Sequence, residues 1–193
     1  QRLAQTCSEK NISEQIMRYI PEQTMTNSEI EIMLKHCSAV KGLETDWEVI
    51  VVDFQKWNMC FRHELVVHFG EDLDRLFGLN YFYTNSHLWF PNCWVFTNSR
   101  VSPPDYDSNN KPIVGPFHYR NHLGGMEGMH QKKWTLIQTK IIRYVAYLVN
   151  LKISVYGQGD NQVILIRYMK NQKDNRDKIR DDFLNLLRDT CQA

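Results

Sequence analysis

The chain has 193 residues, 42% hydrophobic and 23% charged, with a formal net charge of +1. That length suffices for one sizeable core, and the near-neutral balance excludes a global basic field, so any contact with nucleic acid must rest on local patches. The five cysteines (7, 37, 60, 93 and 191) are scattered and never form a Cys-x-x-Cys pair, which argues against a disulfide framework or a zinc knuckle and for a reducing compartment. No apolar run is long enough to span a membrane, and no membrane partner is expected. The chain begins with Gln inside a helical pattern, so it is expected to be a piece of a longer polypeptide.

Asn11 to Ile20 reads as a helix that stops before Pro21. Pro21 to Asn27 is a polar connection. Ser28-x-x-Glu31 is a capping-box pattern that opens a helix through about His36. Lys41 to Asp46 is turn-like, and Trp47 to Asp53 has the run of β-branched residues expected of a buried central strand. Trp57, Cys60, Phe61, Leu65, Val66 and Phe69 then recur at helical spacing, with Gly70 placed to close the helix as a C-cap. Glu71 to Leu79 is a further short helix. Tyr81 to Phe96 is dense in aromatics and has no clear period. Val101 to Pro112 is a loop, and Ile113 to Tyr119 a short strand. Gly124 to Gly128 is a flexible loop leading into a long helix from about Met129 to Asn150. Leu151 to Tyr156 and Val163 to Tyr168 alternate on either side of Gly157-Gln158-Gly159-Asp160-Asn161-Gln162, the pattern of a β-hairpin with a carboxylate at its tip. Asp174 to Thr190 is an amphipathic helix.

Asp53 ends one strand and Asp160 caps the hairpin. Two carboxylates on rigid backbone, far apart in sequence, are what two-metal phosphoryl chemistry needs. Each Asp alone is equally a strand-end or turn residue. Other patterns carry less. His63 and His68 are five apart, where a zinc-binding helix needs four. His118 and His122 have no completing acid or Cys nearby. The glycine loop lacks the Lys-Ser/Thr of a P-loop.

Three segments carry a resemblance. Asp53-Phe54-Gln55-Lys56-Trp57-Asn58 resembles motif A, and Gly124-Gly125-Met126-Glu127-Gly128 with His130-Gln131-Lys132-Lys133-Trp134 resembles motif B. Gly159-Asp160-Asn161-Gln162 resembles motif C. The family is the large (L) RNA-directed RNA polymerase protein of non-segmented negative-strand RNA viruses, the mononegaviruses, and the first motif looks closest to the rhabdovirus-like branch. The resemblance implies an α+β polymerase palm: a small antiparallel sheet bearing the catalytic aspartates, packed by helices. Residues 1–193 would be a single fragment of the catalytic domain. Residues 1–46 would form a helical flank, 47–168 the palm core with motifs A to C, and 169–193 the start of the motif D helix. The family's basic motif before motif A has no clear counterpart in residues 1–46.

The resemblance further implies Asp53 and Asp160 as catalytic residues and ligands of Mg²⁺ (or Mn²⁺). Asn161, in place of a second acid, would support the metal site from its edge. Asn58 would sense the ribose 2′-hydroxyl, or else be a helix N-cap or surface amide. Lys56 would face phosphate or solvent. Gly124, Gly125 and Gly128 would form a loop that shifts as template and nucleotide pair. Glu127 and Gln131, on one helix face, would position nucleotide or template; a helix-start acid is the plainer reading of Glu127. Lys132, with Lys133, Lys140 and Arg143, would face the sugar–phosphate backbone or simply water. Gly159 would let the primer end approach, and Gln162 would begin the return strand. The expected partners are nucleoprotein-coated viral RNA, nucleoside triphosphates (ATP among them) and a viral phosphoprotein, in viral RNA replication and transcription in host cytoplasm and virion. The fragment is expected to be inactive alone. The competing expectation is a non-catalytic RNA-binding or genome-integrated viral remnant.

Overall fold

The computed structural model describes residues 2–41, 47–96, 100–101, 103–126 and 128–192. In chain order the elements are α1 (Arg2–Gln15), α2 (Glu29–Val40), β1 (Trp47–Asp53), α3 (Trp57–Cys60), α4 (His63–Phe77), α5 (Trp89–Asn92), β2 (Val95–Phe96), β3 (His118–Tyr119), α6 (Gln131–Leu148), β4 (Lys152–Gln158), β5 (Asn161–Arg167) and α7 (Arg176–Gln192). The class is α+β. Two units divide the chain, Gln1–Trp57 with His130–Ala193, and Asn58–Met129. No helix among the described residues is long and apolar enough to cross a membrane.

In the first unit the expected hairpin forms, tighter than the apolar runs alone suggest. β4 and β5 pair antiparallel up to Gln158↔Asn161, leaving only Gly159 and Asp160 as the turn. Gly159 has φ +64°, which a two-residue hairpin turn demands at its first position. β1 pairs antiparallel with β5, so the sheet order is β1-β5-β4. The expectation that β1 is a buried central strand is therefore corrected: it is an edge strand. Ile50 and Val52 pack on the core while Val49 and Val51 are exposed. A run of β-branched residues marks a strand but does not say how many neighbours it has. β5 is the central strand, and Ile164, Leu165 and Ile166 are all buried. α6 and α7 cover the sheet through Ile142, Val145, Ala146, Phe183 and Leu187.

α1 begins nearer the N-terminus than expected and stops at Gln15. Its buried residues are Gln5, Ser8 and Ile12, a mostly polar stripe that hides it from apolar periodicity. α2 opens on the predicted capping box, with the Ser28 side chain accepting from the Glu31 backbone and the Glu31 carboxylate accepting from Ser28 N–H at 2.7 Å. It runs past His36 to Val40. The expected turn after Lys41 falls at 42–46, outside the described residues.

In the second unit the predicted helix breaks at Cys60 and restarts at His63, then continues without interruption through Gly70 to Phe77. Gly70 is thus not a C-cap, and Glu71 to Leu79 is not a separate helix. The true C-cap is Gly78, with φ +65°. Gly70 has another purpose: a Cβ there would lie 2.7 Å from the Tyr83 carbonyl oxygen and 2.9 Å from Thr84 Cα. The following segment crosses the helix at that point. Asp74 holds it there, its buried carboxylate accepting from the backbone N–H of Tyr83 and Thr84 at 2.9 Å each and from the Thr84 hydroxyl at 2.7 Å. The expected strand at Ile113 to Tyr119 shrinks to β3, paired with β2.

Tyr168, just beyond β5, is buried and donates its hydroxyl proton to Glu48 of β1 at 2.8 Å. Burial, then this bond to a carboxylate, raises its pKa above the usual tyrosine range. Above about pH 10 the unfolded chain releases that proton while the folded chain keeps it, so stability falls as pH rises. In urea unfolding, the wild-type chain is expected to lose stability steeply above about pH 10, and Tyr168→Phe to remove that component while costing about 1 kcal/mol near neutrality.

Gly157 supplies a second test. A Cβ on it would lie 2.6 Å from Gln162 Oε1 and 2.7 Å from Thr139 Cγ2. Gly157→Ala is expected to destabilise the chain by about 1–3 kcal/mol through overpacking, read as a lowered urea midpoint with unchanged slope.

Candidate active site

The β1–β5 register decides where the two acids fall. Asp53, the last residue of β1, lies opposite Asn161, the first of β5. Directly opposed residues of antiparallel strands have Cα atoms about 4.5–5.5 Å apart. Asp160 is the next residue, in the turn, and its carbonyl accepts from Phe54 N–H at 3.2 Å. The pairing thus continues one step past the strands and brings both aspartates to one end of the sheet. Both side chains are exposed there. The Asn161 amide donates to Asp160 Oδ1 at 3.0 Å, an edge support for the carboxylate that adds no charge.

Gln162 points inward and is fully buried. Its Nε2 donates to the Gly159 carbonyl at 2.8 Å, tying the turn to the strand that follows it. The Gly159 N–H donates to Thr135 Oγ1 on α6 at 3.2 Å. The turn that carries Asp160 is therefore fixed from inside by a glutamine and from the helix side by a threonine. Gly157 leaves the room that the Gln162 side chain occupies.

Among the described residues, no group of three or more His, Cys, Asp or Glu side chains gathers to hold a metal. The donor set at this end is carboxylate and amide oxygen with backbone carbonyls. That set fits a hard divalent cation such as Mg²⁺, which is often bound through one or two carboxylates plus substrate phosphates and water.

At the start of α6, Gln131 lends its carbonyl to the Thr135 hydroxyl at 2.8 Å. Lys132 lies 3.5 Å from the Glu9 carboxylate of α1. His130, the N-cap, makes no side-chain cap bond to this helix, so Glu9 supplies an anion where helix N–H groups point outward. Burial raises the Glu9 pKa, and Lys132 opposes that rise. The four expected cations do not share one role. Lys132 is paired, Lys133 is buried, Arg143 forms an ion pair with Glu22, and Lys140 is exposed.

Asn58, Gly124, Gly125 and Gly128 belong to the second unit. Gly125 N–H donates to the Asn58 carbonyl at 2.8 Å, and Asn58 Nδ2 donates back to the Gly125 carbonyl at 3.3 Å. Asn58 and Gly125 are therefore in direct contact. Gly124 is buried, and a Cβ on it would lie 2.4 Å from the Met59 carbonyl oxygen, so a glycine is needed for this approach. Gly128 has φ +79° and is exposed. Lys56 is exposed with φ +52°. Glu127, expected to share a helix face with Gln131, lies outside the described residues; α6 starts at Gln131.

Sequence reasoning passed over Glu9, Thr24 and Thr135. None belongs to a local pattern; each acts on a residue far away in the chain. The Thr24 hydroxyl donates to the Gly157 carbonyl at 3.1 Å.

Comparison with known proteins places the chain in a family. Residues 1–189 match the family model described as Mononegavirales RNA dependent RNA polymerase. The chain is 30% identical over 169 residues to the RNA-directed RNA polymerase L of Lettuce necrotic yellows virus, covering 81% of this chain and 8% of that protein. It is 33% identical over 119 residues to the same-named protein of Reston ebolavirus, covering 60% and 5% respectively. For Lake Victoria marburgvirus the identity is 35% over 119 residues, covering 59% and 5%. The chain thus spans under a tenth of the length of these relatives. It belongs to the Mononegavirales RNA dependent RNA polymerase family.

Proposed function

We propose that this chain is the palm core of an RNA-directed RNA polymerase and that Asp53 and Asp160 are its catalytic metal ligands. The observation that carries this reading is the register that sets Asp53 opposite Asn161, one residue from Asp160. Family membership supports the reaction class.

In the reaction, the 3′-oxygen of the growing strand bonds to the α-phosphorus of a nucleoside triphosphate, and pyrophosphate leaves with the α–β bridging oxygen. Mg²⁺ (or Mn²⁺) bound at the aspartates would ease loss of the hydroxyl proton and neutralise the charge that builds on the phosphates. Asp53 provides hard anionic oxygens from the end of β1 and Asp160 from the β4–β5 turn, so the β1–β5 pairing and the Phe54 N–H to Asp160 carbonyl bond set their spacing. Asn161 holds one Asp160 oxygen and leaves the other unencumbered by that contact. Gln162 and Thr135 hold the turn, which limits the motion of Asp160 during transfer. A site held in advance is what this chemistry rewards, because positioning and electrostatics supply most of the acceleration.

The substrates proposed are nucleoside triphosphates and a viral RNA template coated by nucleoprotein, with a viral phosphoprotein as partner. These follow from the family alone, as does a place of action in host cytoplasm and virion. Asn58 is assigned to the ribose edge: Nδ2 gives one of its two hydrogens to the Gly125 carbonyl, so Oδ1 and the other hydrogen are the groups for that contact.

In a polymerase carrying this chain, Asp53→Asn and Asp160→Asn are each expected to lower nucleotide incorporation by about 10³-fold or more, with RNA binding within about threefold. Primer extension and filter binding on the same preparations check this. Incorporation that survives both changes would remove the assignment. RNA binding without incorporation in the unaltered protein would favour a non-catalytic RNA-binding role.

A further inference from the structure

β4 has β5 on one side. At its hairpin end the other side is filled by a short segment from near the N-terminus. Gln23 forms a parallel bridge with Gly157. The Gly157 N–H donates to the Glu22 carbonyl at 2.7 Å, and its carbonyl accepts from Thr24 N–H at 2.9 Å. The Thr24 hydroxyl donates to that same carbonyl at 3.1 Å. Both lone pairs of one carbonyl are thereby used by one residue. Gly157 lies three positions before Asp160, on the strand that leads directly into the turn.

The segment is itself fixed from several directions. Gln23 is buried, with its Nε2 donating to the Met17 carbonyl at 2.9 Å and to Thr26 Oγ1 at 2.8 Å, and its Oε1 accepting from Thr26 N–H at 3.2 Å. Lys35 of α2 donates to the Gln23 carbonyl at 3.1 Å and to Asn27 Oδ1 at 2.7 Å. Glu22 is ion-paired with Arg143 of α6. The Met25 sulfur lies 2.9 Å from Thr135 Oγ1, the oxygen that also receives the Gly159 N–H. Polar groups of two helices thus converge on a segment of turns around the Gln23 bridge, and residues 22–25 within it hold the root of the hairpin turn.

We propose that residues 22–25 are a strap that sets the position of Asp160, with Thr24 as a positioning residue for nucleotidyl transfer. The inference rests on the polymerase reading of the aspartates. The strap contributes no group to the reaction. It occupies both backbone groups of Gly157, so β4 cannot slip or fray at the end where the turn begins. Local opening of a hairpin tip is governed by such backbone bonds, and a misplacement of about 1 Å in a reacting constellation costs up to about 10²-fold. Thr24 is the residue to test because its hydroxyl adds a side-chain bond to a contact that its backbone already makes.

The test uses a polymerase carrying this chain. Hydrogen exchange of residues 157–162 is measured without metal or nucleotide, alongside steady-state incorporation. For Thr24→Val, exchange in that segment is expected to rise about tenfold. Its kcat is expected to fall about tenfold, with the nucleotide KM within about twofold, since substrate binding is not what the strap supports. Thr24→Ser, which keeps the hydroxyl, is expected to stay within about twofold of wild type in all three readouts. Wild-type exchange and kcat in Thr24→Val, with Asp160→Asn inactive, would overturn the strap and leave the polymerase reading intact. Activity surviving in Asp160→Asn would instead overturn that reading, while exchange would still report on the strap. Should Thr24→Val lose protection throughout the chain, the decision passes to Glu22→Gln, which frees the strap from Arg143. Faster exchange confined to residues 157–162 supports the proposal, and unchanged exchange overturns it.

Discussion

The pairing of β1 with β5 is the constraint on which the candidate site depends. Seven opposed residue pairs, from Trp47↔Arg167 to Asp53↔Asn161, fix where the end of β1 falls against the hairpin. A slip of one residue would exchange the two faces of β1, turning Ile50 and Val52 out and Val49 and Val51 in. It would also carry Asp53 away from Asn161. Core burial and acid placement are thus set by the same register, and the apolar side chains that specify one specify the other. A site built on a strand end and the tight turn beside it inherits the rigidity of the sheet, which acids on long loops would lack.

The turn itself is held largely by polar groups, which brings a cost. Gln162 is fully buried and its Oε1 has no hydrogen-bond partner among the described residues. A buried polar atom left unsatisfied costs about 1–3 kcal/mol. The amide's other end, bonded to the Gly159 carbonyl, offsets part of that and fixes the turn. A hydrophobic residue at 162 would pack without the penalty, yet it could not hold Gly159. The arrangement trades stability for the placement of one carboxylate, a common feature of functional sites.

What the sequence made legible was written in local chemistry. The Ser28 capping box, the strand ending at Asp53 and the hairpin around Gly159 all depend on neighbours a few positions apart, so their residue types announce them. Gly70 misled because a glycine has two uses. Helix termination is local, whereas close approach by Tyr83 and Thr84 depends on a segment more than ten positions away. β1 misled for a similar reason: its residues specify a strand, while its place at the edge depends on what pairs beside it. Glu9, Thr24 and Thr135 gave no signal at all. Each is an ordinary polar residue whose meaning comes only from the partner the fold delivers, namely the α6 N-terminus, Gly157 and Gly159.

Asn161 shows how the acids can be oriented without being overcharged. Two carboxylates at one end of a sheet already repel each other, and a third would raise that repulsion in the absence of cations. An amide in the same place donates to Asp160 Oδ1 instead. It selects one orientation of the carboxylate and leaves the net charge of the pair unchanged. The amide's own position is set by the register, because Asn161 is paired with both Asp53 and Gln158. The side chain that steers Asp160 is therefore anchored by the same hydrogen bonds that bring Asp53 alongside. Orientation of the second acid follows from placement of the first.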